Sequence, residues 1–166
     1  MQSLLPSEKA ALEQIERDPM LTQVRAWAAV NSGSGNLVGL ANTAGLLADD
    51  FAALPGEVEL VSPAPVERVR ADGAIETVEH GRHLVLTVRP DVPAQLLFTG
   101  HMDTVFAADH AFQEQKWLDD GVLNGPGVAD MKGGISVMLA ALSAAERAAD
   151  FGRVGYQVLI NSDEEV

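Results

Sequence analysis

The sequence predicts an α/β domain, a layered sheet with helices on both faces. Three observations carry this. Short apolar runs bounded by glycine and proline alternate with longer stretches of helical periodicity. Two of the apolar runs, 95–99 and 156–160, lead straight into polar clusters. Sites in open α/β sheets form in just such a crevice beyond the carboxyl ends of strands. Finally, 166 residues with 47% hydrophobic composition make one domain of sufficient size to bury a core.

Taken in order, Ser7 to Arg17 reads as a short amphipathic helix, with Ser7 as N-cap and Ala11, Leu12 and Ile15 at helical spacing. Asp18-Pro19 starts a second helix that buries Leu21, Val24 and Trp27 and ends near Asn31. The loop Asn31-Ser32-Gly33-Ser34-Gly35-Asn36 lacks the lysine and spacing of a phosphate-binding loop and reads as a plain helix-to-helix connection. A third helix runs from Leu37 to Leu54 and is closed by Pro55-Gly56.

Glu57 to Ser62 and Pro65 to Arg70 are short strand candidates, followed by a turn at Asp72-Gly73. His80 and His83 read as exposed loop histidines in a charged segment. Leu84 to Arg89 alternates as a partly exposed strand, ended by Pro90 and Pro93. Leu96 to Thr99 is continuously apolar, as a buried central strand would be. Trp117 to Asn124 forms a hairpin around Asp119-Asp120-Gly121, and Met131 to Ala149 is the longest helix, its small residues allowing close packing on a sheet. Val154 to Ile160 is the last strand. The alternation favours a largely parallel core in a single domain without repeats.

Acidic residues number 24 against 11 basic, a formal charge of −13. That balance excludes nucleic acid and anionic membranes as partners, since both need a basic footprint. The absence of cysteine excludes disulfides and thiolate metal sites. Residues 1–18 contain no apolar signal core, and no stretch approaches the apolar length of a membrane span, so a cytoplasmic location is expected.

Three segments carry chemistry. They are Gly100-His101-Met102-Asp103-Thr104, the glycine-rich run from Gly125 through Asp130 to Gly134, and Asn161-Ser162-Asp163-Glu164-Glu165. An imidazole with carboxylates and no thiolate suits zinc, or cobalt or manganese in its place. Asp103, two residues after His101, is spaced to accept the second ring N–H and fix the tautomer. Adjacent glutamates point different ways, so one can bind metal while the other handles a water proton. Gly125-x-Gly127 is half of a dinucleotide fingerprint, but Asp130 stands where its third glycine belongs.

Together these three segments resemble the signatures of the co-catalytic zinc peptidases, the family of glutamate carboxypeptidase, acetylornithine deacetylase, succinyl-diaminopimelate desuccinylase and aminoacylase. The resemblance implies that Asp130 bridges two zinc ions, that His101 binds one and that Glu165 binds the other. It assigns Glu164 as general base and Asp103 as the residue that orients His101, and it implies a cis peptide bond between Asp130 and Met131. The implied reaction is amide hydrolysis of a small peptide or N-acyl amino acid, of carboxypeptidase or deacylase type, with a lean toward the glutamate carboxypeptidase branch.

Relatives take a further acidic ligand and a histidine from later in their sequences, and carry a separate lid domain. Residues 1–166 are expected not to include them. The resemblance therefore implies that residues 1–166 are the N-terminal portion of an incomplete catalytic domain, with weak zinc binding and no turnover by the isolated chain. The alternative is a non-catalytic module that self-associates or needs a partner to supply the missing ligands. An uncovered edge on the last strand makes a homo-oligomer the expected state.

Overall fold

The structure, a computed structural model, describes residues 4–119, 121–148 and 150–166. Met1 to Ser3, Asp120 at the hairpin tip and Ala149 at the expected end of the longest helix lie outside the described residues.

Among the described residues, four α-helices and eight strands follow one another: α1 Pro6–Leu12, α2 Asp18–Ala28, α3 Leu37–Phe51, β1 Glu57–Val61, β2 Val66–Val69, β3 Ile75–Val78, β4 His83–Val88, β5 Ala94–His101, β6 Lys116–Asp119, β7 Val122–Asn124, α4 Gly133–Glu146 and β8 Val154–Asn161. The α/β class is as the sequence predicts. α1 is shorter than expected and begins at Pro6, because proline fits the first helical turn. Leu5 is the N-cap residue and donates its N–H to the Glu8 carboxylate at 2.6 Å, so Ser7 lies inside the helix and is not the cap. α3 is capped as a helix should be, with the Asn36 side chain accepting the Gly39 N–H.

In α2, Val24 and Trp27 are buried, but Leu21 is 44% exposed. Steps of three residues fall about 60° short of a full turn, so two such steps carry Leu21 off the face that Trp27 occupies. Trp27 closes this face by donating its indole N–H to Asp50 on α3 at 2.9 Å.

The main sheet has the order β1-β4-β8-β5. Only β5 and β8 pair in parallel, with His101 opposite Asn161 at the end of the ladder. β1 with β4 and β4 with β8 are antiparallel. The expected largely parallel core is thus corrected: one strand–helix–strand crossover, through α4, supplies the single parallel pair. The order also reverses two expectations about position. β8 lies inside the sheet with a partner on each side, whereas β5, expected in the centre, is its edge. Leu96 and Leu97 on β5 are accordingly 47% and 64% exposed. A continuous apolar run marks a strand without marking its neighbours.

Leu84, Leu86 and Val88 of β4 alternate with half-buried residues, and with Tyr156, Val158 and Ile160 of β8 they form one core cluster. Leu40, Leu47 and Phe51 of α3 and Ile135, Leu139 and Leu142 of α4 pack into the same cluster. Two hairpins project from this body, β2–β3 and β6–β7. β3 has no counterpart among the expected strands.

By length and composition alone the stretch Val128–Glu146 is apolar enough to cross a membrane, where the sequence reading expected no such stretch, but a kink divides it and leaves α4 with 14 residues. Its apolar character has a local cause, since Ile135, Leu139 and Leu142 face the core. Its first turn, Val128–Lys132, is interrupted at Asp130 and Met131, whose backbone angles are not helical.

Candidate metal centre

His101 ends β5, Asp130 sits in the interrupted turn before α4, and Glu165 lies in the turn just beyond β8. One ligand atom from each of these side chains lies within 4.8 Å of the others. The predicted cluster therefore comes together, from segments separated by up to 64 residues, through the parallel pairing of β5 with β8. The glycine-rich run makes its own contribution. Gly127 adopts a left-handed φ of 70°, closed to most side chains, and turns the chain so that Asp130 faces His101. The Asp130–Met131 peptide bond is cis, as the resemblance implied.

Asp103 is the hub of the arrangement. Its side chain is fully buried, and a buried carboxylate needs a full set of donors. Four are present. Oδ1 faces the His101 Nδ1 at 3.3 Å and accepts the Glu164 N–H at 3.2 Å. Oδ2 accepts the Ser34 hydroxyl at 2.7 Å and the Glu165 N–H at 3.0 Å. Asp103 thus holds the ring of His101 and the backbone of the Glu164–Glu165 turn at once.

The donor set fits a cation. The backbone oxygen of Asp103 and its carboxylate both face Nδ1 of His101, at 3.2 and 3.3 Å, and so assign the ring proton to that nitrogen. Nε2 then directs a lone pair at Asp130 Oδ1, 3.1 Å away, with Glu164 Oε2 at 4.0 Å. A lone pair facing carboxylates calls for a proton or a metal ion between them. Burial opposes charge on His101, but the hydrogen bond to Asp130 and the charges of Asp103, Glu164 and Asp130 outweigh it and raise the ring pKa. Asp130 and Glu164 remain open to solvent, their side chains 77% and 57% exposed.

Three residues with parts in this arrangement went unassigned in the sequence. Ser34 is the third donor to Asp103. Lys132 is 1% exposed and donates to the Ser32 hydroxyl at 2.8 Å. Burial lowers its pKa to about 8, against the opposing pull of Asp103. Ser32 donates in turn to the Met102 carbonyl at 2.7 Å. The loop read as a plain connection is therefore packed against the site. The available signals were Lys132, a lone cation inside a run of small and apolar residues, and Ser32-Gly33-Ser34, which resembles a loop of the zinc peptidases. The histidines expected in an exposed loop are also corrected. The His80 side chain is 6% exposed with Nδ1 at 3.7 Å from Asp163, and Nδ1 of His83 accepts the Ser162 N–H at 3.3 Å.

Fold and site together define the class: an α/β layer that gathers an imidazole and carboxylates at the ends of two parallel strands. Comparison adds a family likeness over part of the chain. Residues 97–166 match the sequence model described as Peptidase family M20/M25/M40, which bears out over that stretch the resemblance drawn from the motifs. Succinyl-diaminopimelate desuccinylase of Methylobacterium radiotolerans is 44% identical over 75 residues, covering 42% of this chain and 19% of that protein. Succinyl-diaminopimelate desuccinylase 2 of Shewanella loihica is 37% identical over 81 residues, covering 44% of this chain and 20% of that one. The chain thus matches about a fifth of the length of these curated relatives.

Among solved structures, human carnosine dipeptidase 1 superposes with a TM-score of 0.71 at 20% identity, covering 98% of this chain and 36% of that one. The dipeptidase Dug1p of Saccharomyces cerevisiae gives a TM-score of 0.68 at 11% identity, covering 92% and 34%. At such identities these two establish the fold.

Proposed function

We propose that this chain carries part of the active site of a zinc-dependent amide hydrolase, of carboxypeptidase or N-acyl-amino-acid deacylase type. The observation that supports it most directly is the convergence of His101, Asp130 and Glu165 within 4.8 Å. In this reading His101, Asp130 and Glu165 would together hold the zinc pair, Asp130 being shared and His101 and Glu165 each serving one ion, with cobalt or manganese as substitutes. When bound, the pair supplies polarisation of an amide carbonyl and a more acidic water. Glu164, exposed on the open side, takes the water proton and passes it to the leaving amine. Asp103 keeps the His101 proton on Nδ1 and fixes the ring plane. The substrate is a small peptide or an N-acyl amino acid, a reading supported by the names of the curated relatives and the dipeptidase neighbours.

Each zinc would have two protein ligands among the described residues, where catalytic zinc ordinarily has three. The chain by itself is therefore proposed to bind zinc weakly and to lack turnover. A second reading, favoured by the open edge of β5, is a module whose site is completed on self-association or by a partner.

Zinc titration of the purified chain against a chromophoric chelator, with assay of an N-acyl amino acid, tests the proposal. Weak zinc uptake that disappears in His101→Ala supports it. No uptake at any concentration overturns the metal-site reading, and tight binding of two zinc ions with turnover overturns the proposed incompleteness.

A further inference from the structure

We infer that the loop Asn31–Asn36 is a positioning device for this site, with Ser34 as the positioning residue that locks the Asp103 carboxylate in place. The loop touches two of the three segments that carry the cluster and is joined to the third through Asp103. Ser32 and Ser34 bracket Asp103 and Thr104 like a short strand: Thr104 donates its N–H to the Ser32 carbonyl at 3.0 Å, and Ser34 donates its N–H to the Thr104 carbonyl at 3.2 Å. Gly33 between them has no room for a side chain, since a Cβ would stand 2.4 Å from the Phe106 carbonyl oxygen. Lys132, two residues after Asp130, reaches back to Ser32. Asp103, through its four donors, carries the connection on to His101 and to the turn of Glu164 and Glu165.

Ser34 is the point at which this network can be cut without touching a ligand. Its hydroxyl makes the shortest of the four contacts to Asp103, at 2.7 Å, and is the only one from a segment outside the cluster. Each carboxylate oxygen has two donors, so the group has one satisfied orientation. Without the Ser34 hydroxyl, Oδ2 keeps only the Glu165 N–H, and three contacts hold the carboxylate where four did. The common anchor of His101 and the Glu164–Glu165 turn is then loosened. Ser34 touches neither substrate nor metal and acts through Asp103.

The inference rests on the proposed metal site for its zinc readout, but not for a second readout made on the metal-free chain. Amide hydrogen exchange of Glu164 and Glu165 is measured by NMR in the parent, Ser34→Ala and Ser34→Thr, alongside zinc affinity by chelator competition. Ser34→Ala is expected to speed exchange at those two amides at least tenfold while β4 and the interior of β8 keep their protection. It is also expected to weaken zinc binding, by less than the roughly 10- to 100-fold typical of removing a direct partner of a ligand, because Ser34 acts one step further out through Asp103. Ser34→Thr, which keeps the hydroxyl, should restore both. Parent-like exchange in Ser34→Ala overturns the inference whether or not zinc binds. A parent that takes up no zinc overturns the functional reading alone. Should Ser34→Ala not fold, Ser34→Cys, similar in volume but a weak donor, is judged by the same exchange measurement.

Discussion

Nε2 of His101 stands 3.1 Å from Oδ1 of Asp130, although one side chain is 7% and the other 77% exposed. The histidine is held from behind by buried groups and the aspartate arrives from the solvent side. The two therefore differ in what they contribute to folding. Asp130→Ala is expected to abolish zinc uptake while changing stability by no more than about 0.5 kcal/mol, as for exposed side chains generally. Zinc titration beside urea unfolding checks this, and a variant that still binds zinc with parental affinity would remove Asp130 from the site.

The close approach of Gly33 to Phe106 makes a second prediction. Gly33→Ala places a methyl group against a backbone oxygen, which cannot move aside as a side chain can. A loss of about 1–3 kcal/mol is expected, the usual range for overpacking. An unfolding midpoint equal to that of the parent would show that the loop yields freely.

Tyr156 gives a prediction about pH. Its ring is fully buried, and burial first, then the neighbouring Glu146 carboxylate, raises the phenol pKa well above the ordinary value. In the unfolded chain the phenol ionises near pH 10. Above that pH the folded state holds more protons than the unfolded state, so stability falls as pH rises. Tyr156→Phe should flatten that decline. Tyr156 is the sole tyrosine of the sequence, so absorbance of the tyrosinate during unfolding reports the same event. Parallel stability profiles for parent and variant between about pH 9 and 12 would contradict the coupling.

The exposed leucines of β5 bear on association. An edge strand of eight residues without a charge from Ala94 to Gly100 presents unpaired backbone groups beside an apolar side chain at Leu97. If the chain associates through this edge, Leu97→Lys should lower the mass seen by light scattering and leave stability nearly unchanged. Identical concentration dependence in parent and variant would direct the search to another surface.

What the sequence revealed of the site was local. His101 and Asp103 stand two residues apart, so their pairing is implicit in the spacing, and the glycines before Asp130 announce a turn. Contacts across long separations left no comparable trace. Nothing near Ser34 marks a partner 69 residues away, and a serine between glycines is typical of loops. The rank of strands in the sheet was hidden for a related reason. Leu96 to Thr99 and Tyr156 to Ile160 are both apolar, yet the first lies at an edge and the second inside, because pairing order is decided by the connections. His80 sits among charged residues, which favoured an exposed reading, but the packing of its segment near Asp163 buries it.

The ladder between β5 and β8 joins Ala94 to Val154 at one end and His101 to Asn161 at the other, without a break. Backbone pairing of this kind works as a vernier: a slip of a single notch would reverse the side on which every side chain emerges. A deletion of one residue inside either strand would misalign the imidazole with the distant carboxylates, even with every chemical group still present.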